Sequence, residues 1–429
     1  MTYPLTAERG AAVDLLAEPA LQPGDPVGCP DCGLLQHLPD LPSHGRMVCG
    51  RCDAVLAKPG GAALDAAMAL ASAGLVAAVM ANFWPMMIVR SAVGERDSVL
   101  ISGAVQLSDE GFHLLGLTVA LFSVAIPVLW LLGVLVVLGS LYLGHRPRML
   151  PTLFKLTEHL RAWAMPEIYL LGAFVAYTRL GDIAHIEIGP GGFALIGLAI
   201  AALAVDGLLD RRTVWNLVDR RLVRAAVEGQ SWVECDACGL IVALDAEHGS
   251  SGRCPRCAAP LSHRKPHSLE RTLALVLAST VLYIIANILP VMTIVQFGRQ
   301  DPTTIIGGVR ELFDADLWPL ALLVFFASIA VPVLKLVCLT WFMIETHRRS
   351  SRGLLLRTRF YRITRAIGRW SNIDVFMISI LTALIRFGNF TRVDADSGIF
   401  AFGAVVVLTM LAAEMFDPRL MWDATGDNP

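Results

Sequence analysis

Eight long apolar runs constrain this chain more than any other feature of its sequence. They lie near residues 64–89, 112–143, 165–182, 191–209, 269–296, 316–345, 372–390 and 398–416. About 18 apolar residues suffice to cross a hydrocarbon layer roughly 30 Å thick. Only 17% of the 429 residues are charged, whereas about 25% is usual in soluble domains. The sequence therefore predicts an all-α polytopic membrane protein with eight transmembrane helices.

An internal duplication groups these runs into two sets of four. The cysteine pairs Cys29-Pro-Asp-Cys32 and Cys49-Gly-Arg-Cys52 recur as Cys235-Asp-Ala-Cys238 and Cys254-Pro-Arg-Cys257. Other repeated pairs are Asn82 with Asn287, Pro85 with Pro290, Ser123 with Ser328, Pro127 with Pro332, Trp163 with Trp370 and Glu167 with Asp374. The offset stays between 204 and 207 residues. Because four spans return a chain to its starting side, we expect two parallel four-helix repeats.

The basic residues predict the orientation of the spans. The 346–370 connection contains eight arginines, whereas the 183–190 connection contains no lysine or arginine. Short cytoplasmic connections carry the excess of lysine and arginine in membrane proteins. We therefore expect both termini and both cysteine-rich segments to lie in the cytoplasm. With a net charge of only −2, the composition gives no indication of nucleic-acid binding.

On the opposite side, two connections have the alternation of short β-hairpins. Residues 88–101 suggest two strands around a Gly94-Glu-Arg-Asp97 turn, and residues 294–306 repeat the pattern. The predicted segments are an N-terminal tail (1–25), a first zinc ribbon (26–60), a first transmembrane repeat (61–210), a basic linker (211–231), a second zinc ribbon (232–265), a second transmembrane repeat (266–418) and a C-terminal tail (419–429).

Eight of the nine cysteines have the spacing of zinc ligands. Two Cys-x-x-Cys loops separated by 16 or 15 residues place four sulfurs around one ion. Gly33, Gly50 and Gly239 would give the loops their turn freedom. A shell of four cysteines leaves no open position, which favours two structural Zn²⁺ sites. Redox or metal sensing, or a rubredoxin-like iron, stays open as the alternative.

Lys335 is the most unusual polar residue within the spans. It lies ten residues before Glu345 inside an apolar run, and Trp130 occupies the equivalent position of the first repeat. Ser328, Pro332 and Lys335 share one helix face, and Pro332 frees a backbone carbonyl near it. An ionisable group at this depth is costly, which favours a functional role. The alternative is a lysine that snorkels towards the cytoplasmic headgroups.

Further polar residues complete the candidate transport network. Asp182 ends the third span where the second repeat has Asn389, although Arg179 could neutralise it locally. Ser371 and Thr409 are spanning or near-spanning hydroxyls, and each alone is a weak signal. Glu167 and Asp374 lie at predicted helix starts, where the helix dipole accounts for them. One unique acid and one unique base suggest a single site between the repeats.

The doubled ribbons, each leading four spans with Asn-x-x-Pro and Ser-x-x-x-Pro motifs, resemble the paraquat-inducible protein A (PqiA) family, also called LetA. The resemblance covers nearly the whole chain. It implies a protein of the bacterial inner membrane that loads or extracts phospholipid for a periplasmic MCE-domain partner and so supports outer-membrane integrity. It also implies an intramembrane polar network at Lys335, Ser328, Asp182, Ser371 and Thr409.

Other functions stay open at this point. One is an ion-coupled transporter of a small molecule, and another is a cytoplasmic redox or metal sensor. The sequence contains no G-x-x-x-x-G-K-[ST] loop for ATP. Because no nucleophile–base pair or open metal site is evident, we do not expect an enzyme.

Overall fold

A computed structural model describes residues 26–37, 47–57, 64–91, 94–180, 185–219, 231–244, 252–296, 299–387 and 391–423. Within these ranges the chain is mostly helical. Six helical segments are long and apolar enough to cross a membrane: Leu64–Phe83, His113–Tyr142, Pro190–Leu208, Ser268–Ile288, Trp318–His347 and Ser397–Met415. Each segment begins within two residues of the start of a predicted span.

Two of these segments are single helices that open each half, α1 (Leu64–Phe83) and α9 (Ser268–Ile288). Both end before the predicted limits of 89 and 296, which were wrong. Pro85 and Pro290 lack the N–H that would continue the helix, and strands begin soon afterwards. The Asn82 and Asn287 side chains each donate to the carbonyl four residues earlier, at 2.8 Å. These amides therefore belong to their own last helical turns.

The long second segments each contain a π-helical turn. In the first half, α2 (Ser102–Asp109) precedes α3 (His113–Ala120), the turn Leu121–Ala125 and α4 (Ile126–Tyr142). A π-turn commonly marks a functional position in a helix. Pro127 and Pro332 each lie just after such a turn, since the second half repeats this order.

In the second half, α10 (Ile305–Asp314) precedes α11 (Trp318–Phe325), the π-turn Phe326–Ala330 and α12 (Val331–His347). Amphipathic helices follow on the ribbon side of the bundle, α5 (Leu150–Arg161) in the first half and α13 (Leu354–Ile367) in the second. α5 carries Lys155 and Arg161 at half-buried positions, and α13 carries four arginines, of which Arg357 is buried and Arg359 and Arg365 are exposed. The last long helices are α7 (Pro190–Leu208) and α15 (Ser397–Met415), and α8 (Arg211–Val218) follows α7.

The third helix of each half is short. α6 (Pro166–Leu180) has 15 residues and α14 (Ile373–Leu384) has 12, and a 3₁₀ turn at Gly368–Asn372 precedes α14. At 1.5 Å per residue both fall short of the roughly 30 Å hydrocarbon layer. The predicted end of this span at residue 390 was wrong, because Arg386–Phe387 already forms a strand.

α14 is the central helix of the molecule. All twelve of its residues are buried, and it packs on α6 and α2 of the first half. A Cβ at Gly103 would lie 2.7 Å from the Ser379 carbonyl oxygen, and one at Gly172 would lie 3.1 Å from the Phe376 Cβ. Two glycines therefore let helices of the first half approach α14 closely.

Small sheets cover the end of the bundle opposite the ribbons, called here the far side. β5 (Met87–Ser91) pairs with β6 (Gly94–Ser98), and β10 (Met292–Gln296) pairs with β11 (Arg299–Thr303). The predicted hairpins are confirmed, but the turn at 94–97 was wrong, because Ser91 pairs with Gly94 and those residues lie within β6.

Each sheet also gains strands from the connection between the third and last helices of its half. β7 (His185–Ile188) pairs with β5, while β13 (Thr391–Ala395) pairs with both β10 and β12 (Arg386–Phe387). The strands order as β6-β5-β7 and β11-β10-β13-β12. The sheets thus connect helices that are distant in sequence.

The two cysteine-rich segments fold as small hairpin pairs. The first contains β1 (Pro26–Gly28) with β2 (Leu35–His37), and β3 (Met47–Val48) with β4 (Val55–Ala57). The second contains β8 (Ser231–Glu234) with β9 (Ile241–Leu244), and a single bridge between Arg253 and Pro260. The segments pack together, since a Cβ on Gly28 would lie 2.2 Å from a Glu234 carboxylate oxygen.

The end of the chain holds the ribbons to the bundle. Arg419 pairs with Asp417 at 2.8 Å and with Asp236 of the second ribbon at 3.0 Å. Arg51 of the first ribbon lies over the Trp422 ring, 4.8 Å from its centroid. Burial would raise the pKa of Asp417, but the hydrogen bonds and charge of Arg419 outweigh it and lower that pKa. Residues 418–423 are therefore an anchor, and only 424–429 of the predicted tail lie outside the described residues.

Candidate metal centres and an intramembrane polar site

The eight paired cysteines form two separate four-sulfur groups. Within each group all four sulfurs lie within 4.8 Å of one another, and all eight side chains are buried. The closest sulfur pairs are Cys29 with Cys52 at 3.4 Å and Cys32 with Cys49 at 3.6 Å. In the second group both such distances are 3.5 Å. A tetrahedral ion with sulfur about 2.3 Å away separates its ligands by roughly 3.8 Å, so each group can hold a metal ion.

A left-handed residue follows the second cysteine of every loop. Gly33 (φ 74°) and Gly239 (φ 68°) were predicted to supply this freedom. Gly50 does not have a positive φ, and that assignment was wrong. Asp53 (φ 58°) and Ala258 (φ 56°) take the left-handed position in the other two loops. The loops share one geometry, in which the N–H of this residue donates to the carbonyl of the first cysteine, as Gly33 does at 2.9 Å.

The first four-cysteine group contacts the amphipathic helix α13. Arg362 donates to the Cys52 carbonyl at 2.9 Å and to the Cys52 sulfur at 3.1 Å, and it pairs with Asp31 at 2.5 Å. A cationic donor at the sulfur favours the thiolate, which is the form that binds metal. On the second ribbon, Arg211 donates to the Ala237 carbonyl. Each ribbon is thereby tied to an arginine beside the helical bundle.

Lys335 lies inside the bundle, on α12. Its side chain is 1% exposed. The ammonium donates to the Gly368 carbonyl at 2.7 Å and to the Thr409 hydroxyl at 3.2 Å. Neither partner is charged, and no carboxylate among the described residues forms an ion pair with Lys335. The structure thus brings Lys335 and Thr409 together, and Lys335 does not extend to the surface.

A large cavity opens beside Lys335 on the ribbon side of the bundle. Its volume is about 400 Å³, within the roughly 300–1,000 Å³ range of small-molecule sites. Helices from both halves line it, and we call it the ribbon-side cavity. Its lining residues are Glu158, Arg161, Ala162, Trp163, Asp206, Arg211, Lys335, Arg362, Thr364, Arg365, Ala366, Gly368, Arg369, Met410, Ala413 and Glu414.

Ser328 and Asp374 meet further towards the far side. The Ser328 hydroxyl is fully buried and donates to the Val324 carbonyl at 2.7 Å, close to the Asp374 carboxyl. Asp374 is also buried, and its Oδ1 has no partner among the described residues. Sequence reasoning assigned Asp374 to a helix dipole alone. It does lie in the first turn of α14, but its depth follows from the central position of that helix.

A second, smaller cavity separates Asp374 from the far side. Its volume is about 30 Å³, and its lining includes Asp374 and Arg179. That space is enough for a water molecule and too small for a lipid headgroup. Arg179 donates to the Gly308 carbonyl at 3.3 Å and lies 3.5 Å from Glu311. Arg179 of the first half therefore faces the second half.

Two other network residues have different outcomes. Ser371 is fully buried in the 3₁₀ turn Gly368–Asn372, which begins at the residue that accepts from Lys335 and ends just before Asp374. Its hydroxyl has no hydrogen-bond partner among the described residues. Asp182, like the Asn389 compared with it, lies outside the described residues. Asp374, Arg179 and the ribbon-side arginines were not predicted as site residues. The sequence features that could have indicated them are the acidic residue repeated at 167 and 374 and the high arginine content of α13.

Two buried four-cysteine groups that could each hold a metal ion, six helical segments long and apolar enough to cross a membrane, and buried polar side chains between two halves are the features of a polytopic membrane protein. The model of the paraquat-inducible protein A family matches residues 64–219 and again residues 269–426. The chain belongs to the PqiA family.

Curated relatives match over nearly their whole length. The chain is 31% identical over 402 residues to the intermembrane transport protein PqiA of Escherichia coli K12, covering 92% of this chain and 95% of that protein. It is 31% identical to lipophilic envelope-spanning tunnel protein A of the same strain, covering 94% and 92%. A probable intermembrane transport protein of Haemophilus influenzae is 24% identical, covering 92% and 95%. No solved structure matches the chain.

Proposed function

We propose that this protein is the inner-membrane component of an intermembrane phospholipid transport system. Its relatives are named for intermembrane transport and for an envelope-spanning tunnel. In this role it loads or extracts phospholipid for a periplasmic MCE-domain partner and supports outer-membrane integrity. The protein has no enzymatic step of its own.

The proposed topology is eight spans in two parallel repeats. Six of the spans are the long apolar helical segments. The short helices α6 and α14 are the other two, and the 3₁₀ turn before α14 and the strands that follow both helices extend them across the remaining thickness. Two matches to one family model support the duplication. Both termini and both ribbons lie in the cytoplasm, because the basic connections that contain α5 and α13 lie on the ribbon side. The boundaries of the tails, ribbons, repeats and linker predicted from the sequence are part of this proposal.

Each ribbon holds one structural Zn²⁺ in this proposal. The buried four-cysteine groups supply thiolates only and leave no position for water or substrate. Cys29, Cys32, Cys49 and Cys52 bind one ion, and the second group binds the other. The ions supply folding free energy to segments too small to have their own core. The ribbons in turn hold Arg362 and Arg211 beside the bundle.

One observation carries the transport proposal, namely that Lys335 is buried and pairs with no described carboxylate beside a cavity of about 400 Å³. A buried cation without an anion is costly, and a ligand anion would compensate it. Ser328, Ser371, Thr409 and Asp182 extend the polar network, and Asp374 and Arg179 continue it. The network offers polar contacts where a headgroup would otherwise cross hydrocarbon.

Photocrosslinking tests this proposal in native membranes. A photoreactive residue replaces Met410, which lines the cavity. A matched probe replaces Leu129, which is 50% exposed on the outside of the bundle and reports surrounding lipid. Mass spectrometry then identifies the adducts of each probe.

The two probes give opposite expectations for Lys335→Ala. Phospholipid adducts at position 410 should fall at least tenfold in this variant, whereas adducts at position 129 should not change. The absence of phospholipid at position 410 in the native background contradicts the proposal. Recovery of a small solute there instead would favour an ion-coupled transporter.

A further inference from the structure

We propose that the ribbon-side cavity is a binding site for a phosphate group, and that the group belongs to the headgroup of an anionic phospholipid in the cytoplasmic leaflet. This inference rests on the proposed function and adds the entry point and headgroup chemistry of the lipid. The argument uses the charges, the hydrogen-bond donors and the apolar rim of the cavity.

The charge of the lining is strongly biased. Six basic side chains line the cavity, whereas only three acidic side chains do so. Basic pockets between transmembrane helices on the cytoplasmic side bind anionic lipid headgroups in other membrane proteins. The excess is therefore of the right sign for a phosphate.

The acids present are engaged by the arginines. Arg161 pairs with Asp206, and Arg211 pairs with Glu158 at 2.9 Å. Arg365 binds both carboxylate oxygens of Glu414, at 3.1 and 3.2 Å. These pairs hold the guanidinium groups in place around the opening, so little side-chain order has to be gained when an anion binds.

The remaining basic side chains of the lining either pair with acidic residues outside the cavity or, among the described residues, pair with no acidic residue. Arg362 uses Asp31 of the first ribbon, and Arg369 lies 3.8 Å from Glu167 on α6. Lys335 uses only the neutral oxygens of Gly368 and Thr409. An ammonium has three donors, so one remains for an anion at the floor of the cavity.

Unused donors also remain at the opening. Arg365 engages Glu414 through Nε and Nη2, whereas a guanidinium carries five N–H groups. The Arg365 and Arg369 side chains are 53% and 40% exposed. Planar guanidinium groups are well suited to phosphate oxygens. The donors at the opening and at the floor thus line the same cavity.

The rim favours a lipid over a free phosphate ion. Trp163, Met410 and Ala413 line the same cavity, and free phosphate gains nothing from apolar contacts. Lipid tails gain by remaining beside apolar side chains while the headgroup is bound. The cavity thus combines a cationic floor with apolar walls at the membrane surface.

Native mass spectrometry of the full-length protein tests the site. The protein is reconstituted in nanodiscs that contain phosphatidylglycerol and phosphatidylcholine, and the lipids that remain bound after release are counted. The test variant is Arg365→Gln with Arg369→Gln. The matched control is Arg359→Gln on α13, the helix that also carries Arg365, since Arg359 pairs with Asp53 and does not line the cavity.

We expect the double variant to retain at least tenfold less phosphatidylglycerol than the native protein, and the control to retain the native amount. Equal retention by both variants overturns the proposal, even if the Met410 adducts persist and the transport proposal stands. In a parallel arm, inorganic phosphate is added in place of the lipid. Thermal protection by phosphate with no retained phosphatidylglycerol would confirm the phosphate chemistry but overturn the lipid source.

Discussion

The two halves of this protein differ most where their second long helices face the ribbon side. In the first half Trp130 is buried on α4, and Phe122 stacks on Trp163 with ring centroids 5.4 Å apart. In the second half Lys335 occupies the equivalent position, and the residue equivalent to Phe122 is Ala327. At this position the first half therefore buries aromatic side chains, whereas the second half places the Lys335 ammonium beside a cavity.

This comparison separates scaffold from function. Features that both halves share include the ribbons, the proline-ended helices, the π-turns and the far-side hairpins. These features build the fold twice. A site between the halves requires that one copy depart from the other, and Lys335 and the fully buried α14 are the clearest departures. The following predictions test which differences matter.

The largest expected effect concerns the ribbons, where the halves agree. Cys52→Ser and Cys235→Ser should each remove one metal ion from the native two, because a structural zinc site contributes roughly 10–16 kcal/mol of binding free energy that three thiolates cannot match. Elemental analysis of the purified full-length protein measures the stoichiometry. The control is Cys338→Ser, the buried ninth cysteine in α12, which should leave two ions. A Cys52→Ser protein with two ions would contradict the assignment.

A smaller effect concerns equivalent glycines. A Cβ at Gly103 would lie 2.7 Å from the backbone oxygen of Ser379, whereas one at Gly308 would lie 3.3 Å from the Arg179 guanidinium, which can move. Gly103→Ala should therefore cost about 1–3 kcal/mol through overpacking against α14. Gly308→Ala should cost much less. Thermal unfolding in detergent measures both, and equal melting temperatures would show that α14 is not packed as closely as described.

The smallest effect distinguishes the two ribbons. Ala258 is left-handed in the second ribbon, where the first has Asp53, and Asp tolerates this conformation better than Ala. Ala258→Gly should stabilise the second ribbon by about 1 kcal/mol, or roughly fivefold in metal retention. Titration with a chelator measures it. Ala259→Gly is the opposite-sign control, because Ala259 is buried and its φ is not positive.

The sequence was a good guide to the local elements. Cysteine spacing predicted both four-cysteine groups, and apolar runs predicted the starts of the helices within two residues. Pro85 and Pro290 carried the information on where α1 and α9 end. The third strands were missed because β7 pairs with β5 across nearly 100 residues, and a short polar segment has no local signal for such a partner.

The site was only partly predictable, for a physical reason. Lys335 stands out because a charge interrupts an apolar run. Asp374 lies near the end of a polar segment, and its burial follows only from the packing of α14 against the first half. The ribbon-side arginines have the sequence pattern of any solvated amphipathic helix. Their convergence on one cavity depends on how α5 and α13 pack, which periodicity does not specify.

The most direct test of the central claim compares Lys335→Met with Trp130→Phe. Each variant is produced in cells that lack the native copy, and the outer-membrane barrier is measured by entry of a hydrophobic dye. Equal membrane abundance and two bound metal ions establish that both variants fold. The account predicts that Trp130→Phe restores the barrier to the native level, whereas Lys335→Met leaves dye entry as high as in cells without the protein. Full restoration by Lys335→Met would contradict it.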